Sequence, residues 1–362
     1  RKVPLFTRKG GAKKTSGQVH ISACLQDGKA IAADVVVKET VASSRWAAWM
    51  VDTHPAELSP ADFVREAKKF VKDLNGVRTT TIVGDKLLEQ KLGGIHAVGR
   101  GAAVAPRLLV FEHKPKSAAK TVALVGKGVI FDTGGLSLKA TLSMCSMKGD
   151  MGGAAAVLGA FRVAVASGNK DHLICAVALV ENAIGPNSYR NDDIVTMHSG
   201  HTVEINNTDA EGRLLLGDGV SYVARKYKPD LIVDAATLTG AQLVATGLRH
   251  AAITSSREGV EQLANRCGHA AGELVHTMLF TPEFHQLEFK SEVADFRNSV
   301  SNRSNAQSSC AAWFVWAHID DLDPAWIHID LAGPSWRDGR GTGFGVGLIS
   351  RLLRDLSKKD LV

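Results

Sequence analysis

Short apolar, β-branched runs alternate with longer stretches of helical periodicity over most of this chain, and that alternation limits the folds open to it. The runs are TTTIVG (79–84), RLLVFEH (107–113), TVALVGKG (121–128), 172–180, DLIVDAA (230–236), AAITS (251–255) and WIHIDLA (326–332). Between them, helical spacing is read over Ser59–Leu74, Asp85–Lys91, Met151–Ala166, Glu211–Lys228, Glu258–Ala271, Ser308–Ile319 and Phe344–Leu356. Ser59 and Pro60 suit a helix cap and first turn. Strands alternating with helices predict an α/β protein: three layers, with a mixed, mostly parallel sheet buried between helices. VALVGKGVIFD reads locally as strand, tight turn and strand, and GGIHAVGRG (93–101) reads as turns.

The first 44 residues differ from the rest. QVHISACL and AIAADVVVKE read as short strands around the turn at Asp27-Gly28, a small N-terminal remnant of β or α/β character leaning on the body from residue 45 to 362. Residues 1–45 hold nine Lys/Arg and three Asp/Glu, which accounts for the whole net charge of +6. Arg1, Lys2, Arg8, Lys9, Lys13 and Lys14 form a basic cluster there, read as a solvated patch. The body is neutral overall and gives no reason to expect nucleic-acid binding. No run of 18 apolar residues occurs, so no membrane span is expected. Five scattered cysteines without CxxC spacing argue against a disulfide framework or a thiolate zinc site, and point to a reducing, cytoplasmic compartment.

Three segments carry unusual chemistry: GKGVIFDTGGLSLK (126–139), MKGDMGG (147–153) and NNTDAEGR (206–213). Each has a plain local reading, with Asp150 or Asp209 capping the helix that follows and Lys127 and Asp132 solvated. Together they supply four carboxylates, Asp132, Asp150, Asp209 and Glu211. That is enough to hold two divalent ions, two of the four bridging. Oxygen donors of this kind accept Zn²⁺, Mn²⁺ or Mg²⁺ without choosing among them. Lys139 or Arg213 could stabilise a developing oxyanion or hold a small anion. His198 and His201 form the only close histidine pair near these segments, and they read as surface or supporting residues. DTGG (132–135) occurs once, whereas aspartic-protease chemistry needs two carboxylates sharing a proton.

At these residues the chain resembles the leucyl aminopeptidase family, cytosolic metallo-exopeptidases. NTDAEGR stands intact at 207–213, and VGKGVIFDTGG, LSLK, GDMGGAA, VENAIG, DAATLTG and HIDLAGPS occur in the family's order. The likeness runs from about Ser44 to near the C-terminus and is strongest to the family's animal "probable aminopeptidase" branch. It implies that Asp132 and Glu211 bridge two ions, Lys127 as a neutral amine and Asp150 complete the tighter site, and Asp209 completes the exchangeable one. The ions implied are Zn²⁺ or Mn²⁺, with Mg²⁺ an option at the exchangeable position. A metal-bridging hydroxide would attack the carbonyl of a peptide with a free N-terminus. Lys139 would polarise that carbonyl, and Arg213 would hold a bicarbonate ion as general base. Met147, Thr237, Gly240, Ala332 and Ser335 would line the pocket for the first side chain.

Two departures from the family pattern stand out. The mammalian cytosolic enzyme resembles this chain but has methionine where Ser335 lies, which implies a roomier pocket and a weaker preference for leucine. A change of this size alters discrimination by roughly 1–3 kcal/mol. The family's N-terminal domain, which helps build a hexamer of two trimers, is represented here by only the first 44 residues, so the expected homo-oligomer is a hexamer whose trimer–trimer contacts are in question. The competing functional classes are phosphoester hydrolysis at the same carboxylates, and a non-catalytic binding or regulatory protein on a peptidase fold.

Overall fold

A computed structural model describes residues 23–24 and 26–362. The basic cluster at residues 1–14 and most of the first expected strand lie outside the described residues. Numbering the main elements in chain order, the chain runs through α1 (Val35–Asp52), α2 (Pro60–Phe70), β1 (Val77–Val83), α3 (Gly93–Gly99), β2 (Arg107–His113), β3 (Thr121–Asp132), α4 (Gly152–Ala166) and β4 (His172–Asn182). It continues through the hairpin strands β5 (Ile194–Thr196) and β6 (Thr202–Glu204), then α5 (Glu211–Tyr227), β7 (Leu231–Ala236), β8 (Ala251–Ser255), α6 (Glu258–Ala271) and β9 (Val275–Thr277). It closes with β10 (Phe296–Arg297), α7 (Gln307–Trp316), β11 (Ala325–Asp330) and α8 (Val346–Asp355).

Eight strands form one sheet in the order β9-β8-β11-β7-β3-β4-β2-β1. The pairs β3–β4, β3–β7, β7–β11 and β8–β9 are parallel, while β8–β11, β2–β4 and β1–β2 are antiparallel. Both faces are buried, as the near-continuous apolar strands require. Along β3, Val122 and Leu124 enter one core with α1, α2, α4, α6 and α8, while Ala123 and Val125 enter the other with α3, α5 and α7. The three-layer α/β architecture is the one expected. The Thr141–Ala166 stretch is apolar enough to cross a membrane by length and composition, but 89% of its most apolar window is buried in the protein.

Four local readings need correction. VVVKE is not a strand but the start of α1, which Asp34 caps by accepting a hydrogen bond from the Val37 backbone N–H at 2.8 Å. The helix runs across the expected boundary between residues 44 and 45. GGIHAVGRG is mostly helix rather than turns: a Cβ on Gly93 would lie 2.0 Å from the Thr196 carbonyl, so its glycine serves close packing. VALVGKGVIFD is a single strand, irregular between Val129 and Asp132. Neither Asp150 nor Asp209 caps a helix: the N-cap positions of α4 and α5 are Met151 and Ala210, and neither helix has a side-chain cap.

Asp218, buried on α5, ties two of these elements together by accepting backbone hydrogen bonds from Ile95 at 2.9 Å and His198 at 2.8 Å. Burial pushes its carboxyl up to about 7 despite those donors. Asp218→Ala leaves two buried N–H groups unpaired and is expected to destabilise the fold by ~1–3 kcal/mol. A lowered urea midpoint with unchanged m-value is the reading that checks it.

Candidate metal centre

The three chemical segments meet at one end of the central strands. Lys127 lies within β3 and Asp132 ends it; Asp150 closes the short turn before α4; Asp209 and Glu211 stand at the start of α5. Lys127 has room to reach across the sheet end because the second residue of α5 is glycine: a Cβ on Gly212 would lie 2.6 Å from Lys127 Cε. Its Nζ lies 2.9 Å from Asp150, 2.9 Å from Glu211, and 2.9 Å from the Thr237 carbonyl. Lys139 Nζ lies 2.8 Å from Asp132 and 2.5 Å from Asp209.

Two residues that sequence reasoning left without a role hold this geometry. Asn182 Nδ2 donates to Asp132 Oδ1 at 2.8 Å and to the Thr208 carbonyl at 3.0 Å. The Thr208 hydroxyl donates to the Gly134 carbonyl at 2.6 Å and accepts from the Ser137 backbone N–H at 2.7 Å. Together they stitch the 132–139 loop to the 206–213 loop. The signal was present in VENAIG and NTDAEGR, but nothing in either stretch says that they touch. Thr237 also donates to Asp150 Oδ1, at 2.7 Å.

Four carboxylates here face two ammonium groups, and the excess negative charge is buried. Burial raises the Asp150 carboxyl, partly offset by Lys127, and burial with the neighbouring Asp132 raises Glu211. Burial also raises Asp209 against the pull of Lys139. For the lysines burial works downward, yet the surrounding carboxylates hold both above their ordinary value. Carboxylates held out of water against one another are stabilised most by added positive charge. Oxygen atoms of Asp132, Asp209 and Glu211 all lie within 4.8 Å of one another, and Glu211 Oε2 is buried without a hydrogen-bond partner. The donor set therefore fits divalent cations that prefer oxygen.

The cluster forms part of the wall of a cavity of about 1180 Å³. Met147, Thr237, Gly240 and Ala332 line it. Ser335 does not reach the wall: it is buried, its hydroxyl donating to the Ala332 carbonyl at 3.0 Å. Arg213 lies beneath the site rather than in the cavity, over the rings of Phe289 and Phe314 at 5.8 and 6.0 Å. Its Nε and one terminal nitrogen lack partners, and burial pulls the guanidinium down to about 10. His198 and His201 stay with the β5–β6 hairpin, where the His198 ring meets Ser221 at 2.9 Å and His201 lies 3.8 Å from Asp295.

An α/β domain that gathers buried acids and lysines at the ends of its central strands has the makings of a metallohydrolase. The chain belongs to the cytosol aminopeptidase family, whose catalytic-domain model matches residues 45–350. It is 44% identical over 371 residues to a human protein described as "Probable aminopeptidase NPEPL1", covering all of this chain and 70% of the relative. Among solved structures it is similar to leucyl aminopeptidase from Trypanosoma brucei in complex with bestatin, with a TM-score of 0.86, 44% identity, and coverage of 89% of this chain and 62% of that one. The apo leucyl aminopeptidase from Trypanosoma cruzi superposes with a TM-score of 0.87 at 47% identity, over 89% of this chain and 64% of that one. The chain thus spans less than two thirds of the length of these solved relatives.

Proposed function

We propose that this protein is a metal-dependent exopeptidase that releases single amino acids from the N-termini of peptides. The observation that carries the reading is the convergence of Asp132, Asp209 and Glu211 within 4.8 Å beside two buried lysines. Family membership and the inhibitor complexes of its relatives support a catalytic role over a purely regulatory one.

In this reading Asp132 and Glu211 would be shared between two divalent ions, Zn²⁺ or Mn²⁺, with Mg²⁺ admissible at the exchangeable site. Lys127 and Asp150 would complete the tighter site, and Asp209 the exchangeable one. Bound there, such ions supply Lewis acidity and lower the pKa of water to near neutrality. Lys127 must give up its proton to act as a ligand, so loading would release a proton from a group the surrounding carboxylates hold charged. Lys139, with its ammonium at the mouth of the cluster, offers positive charge where the substrate carbonyl develops an oxyanion. Arg213, buried beneath the cluster with two nitrogens unpaired, would hold a bicarbonate ion as general base.

The first side chain occupies the cavity bounded by Met147, Thr237, Gly240 and Ala332. Ser335 stands behind that wall where the mammalian cytosolic enzyme has methionine, and a broader or weaker preference for leucine follows from the smaller side chain. The catalytic unit is residues 45–362, the compartment is the cytosol, and the assembly is a hexamer of two trimers, readings that rest on the family alone.

Leucyl arylamide hydrolysis is expected to disappear on dialysis against a chelator and return with Mn²⁺ or Zn²⁺. Methionyl and alanyl arylamides should be cleaved with kcat/KM values near that of the leucyl substrate. Turnover of an aryl phosphate alone, or no turnover after metal loading, would overturn the reading.

A further inference from the structure

A second cavity, about 500 Å³, adjoins the first: Lys139 and Asp209 line both, together with Ser143. If the first side chain of a substrate fills the larger cavity, the residue after the cleaved bond falls in the smaller. Its remaining polar wall includes Ser137, Asn206, Asn207, Ser299 and Arg303.

Most of these groups are committed to holding the loops. Asn206 exchanges hydrogen bonds with the Ser299 backbone at 2.9 and 3.2 Å, Asn207 accepts from the Asp209 N–H at 2.9 Å, and the Ser137 hydroxyl accepts from the Thr208 N–H at 3.1 Å. Arg303 is different. Among the described residues its guanidinium has no hydrogen bond and no ion pair, and it is the one cation on this wall besides Lys139, which is paired.

The loop that carries Arg303 is also fastened in place. Glu288 accepts the Asn302 N–H at 2.9 Å and the Asn305 side-chain amide at 2.7 Å, and its carbonyl accepts the Ser301 N–H at 2.9 Å. Both flanks of Arg303 are therefore tied to one residue, so less ordering is needed when a ligand arrives.

We infer that Arg303 binds a free C-terminal carboxylate on the residue following the cleaved bond, making dipeptides the favoured substrates. The inference rests on the exopeptidase reading above. In a dipeptide the carboxylate lies one residue beyond the cleaved bond, a span of about 3.3–3.6 Å, within a cavity this small. A guanidinium matches a carboxylate in a two-pronged, charge-assisted hydrogen bond. In a longer peptide an uncharged amide takes that position and the ion pair cannot form.

The test compares leucyl-glycine, leucyl-glycinamide and a leucyl arylamide on the metal-loaded wild-type protein, Arg303→Ala and Arg303→Lys. Wild type is expected to prefer the dipeptide over its amide. Arg303→Ala should lower kcat/KM for the dipeptide by about 10-fold or more, chiefly through KM, and leave the arylamide unchanged; Arg303→Lys should recover part of the loss. Equal hydrolysis of dipeptide and amide by the wild type, or equal effects of Arg303→Ala on dipeptide and arylamide, would overturn the assignment. A wild-type protein that cleaves none of the three refutes the exopeptidase reading itself, and the carboxylate site falls with it.

Discussion

Asp132→Asn and Glu211→Gln are each expected to yield a folded protein that neither retains divalent ions nor cleaves an aminoacyl arylamide. Both side chains are almost wholly buried, and each faces two or more charged neighbours of the cluster. A lost supporting group around a metal typically costs 10–100-fold in affinity or activity, and loss of a shared ligand should exceed that. The fold should survive, because Glu211→Gln removes a charge that burial and Asp132 already disfavour. Ions that bind only the native state raise the melting temperature by mass action, so wild type should melt higher with Mn²⁺ and the variants should not. The raised Asp150 and Glu211 carboxyls also give the metal-free protein a sign in pH. The folded state keeps protons that the unfolded chain releases in the ordinary carboxylate range, so metal-free stability falls as pH rises from that range towards the raised values. Elemental analysis with thermal melts decides the matter; stoichiometric metal and near-normal turnover in either variant would contradict a bridging role.

Lys139→Met separates site architecture from catalysis. Its ammonium sits between Asp132 and Asp209 and is part-exposed to the cavity, whereas Lys127, on the same wall, is almost wholly buried among its carboxylates. If Lys139 works on the developing oxyanion, its loss lowers kcat by ~10²–10³-fold, the effect of removing one such donor, with KM and metal content little changed. Release of metal by this substitution would instead make Lys139 part of the carboxylate scaffold.

The wall strands were largely legible because a strand buried on both faces announces itself by unbroken apolar sequence. RLLVFEH is a strand over the same residues, 107–113, in the structure. Helix α6 likewise begins and ends where its periodicity does, at Glu258 and Ala271. The failures have physical causes. Three valines suggested extended chain at residues 35–37, but Asp34 supplies a cap and α1 packs along α4, so tertiary contact overrode propensity. The glycines at 93 and 94 suggested turns, whereas they make room for Thr196 and Met197 against a helix. Local patterns cannot distinguish a glycine that bends the chain from one that admits a neighbour.

The four acids and the lysines were identifiable from their segments, since glycine-flanked carboxylates at the ends of apolar runs have little to gain in a core. Order along the chain determined the alternating α/β layers and which residues carry the chemistry. Only the tertiary structure decided that β3 lies between β7 and β4, which brings Lys127 to Asp150 and Glu211, and Asp132 to Asn182. It likewise decided that Arg213 sits beneath the site over two phenylalanine rings, Ser335 behind the wall, and Arg303 on a second cavity beside Lys139. The reason is one of range: capping, periodicity and turn chemistry act over a few residues, while the meeting of residues 127, 150 and 211 depends on sheet order, which is set by burying both faces at once.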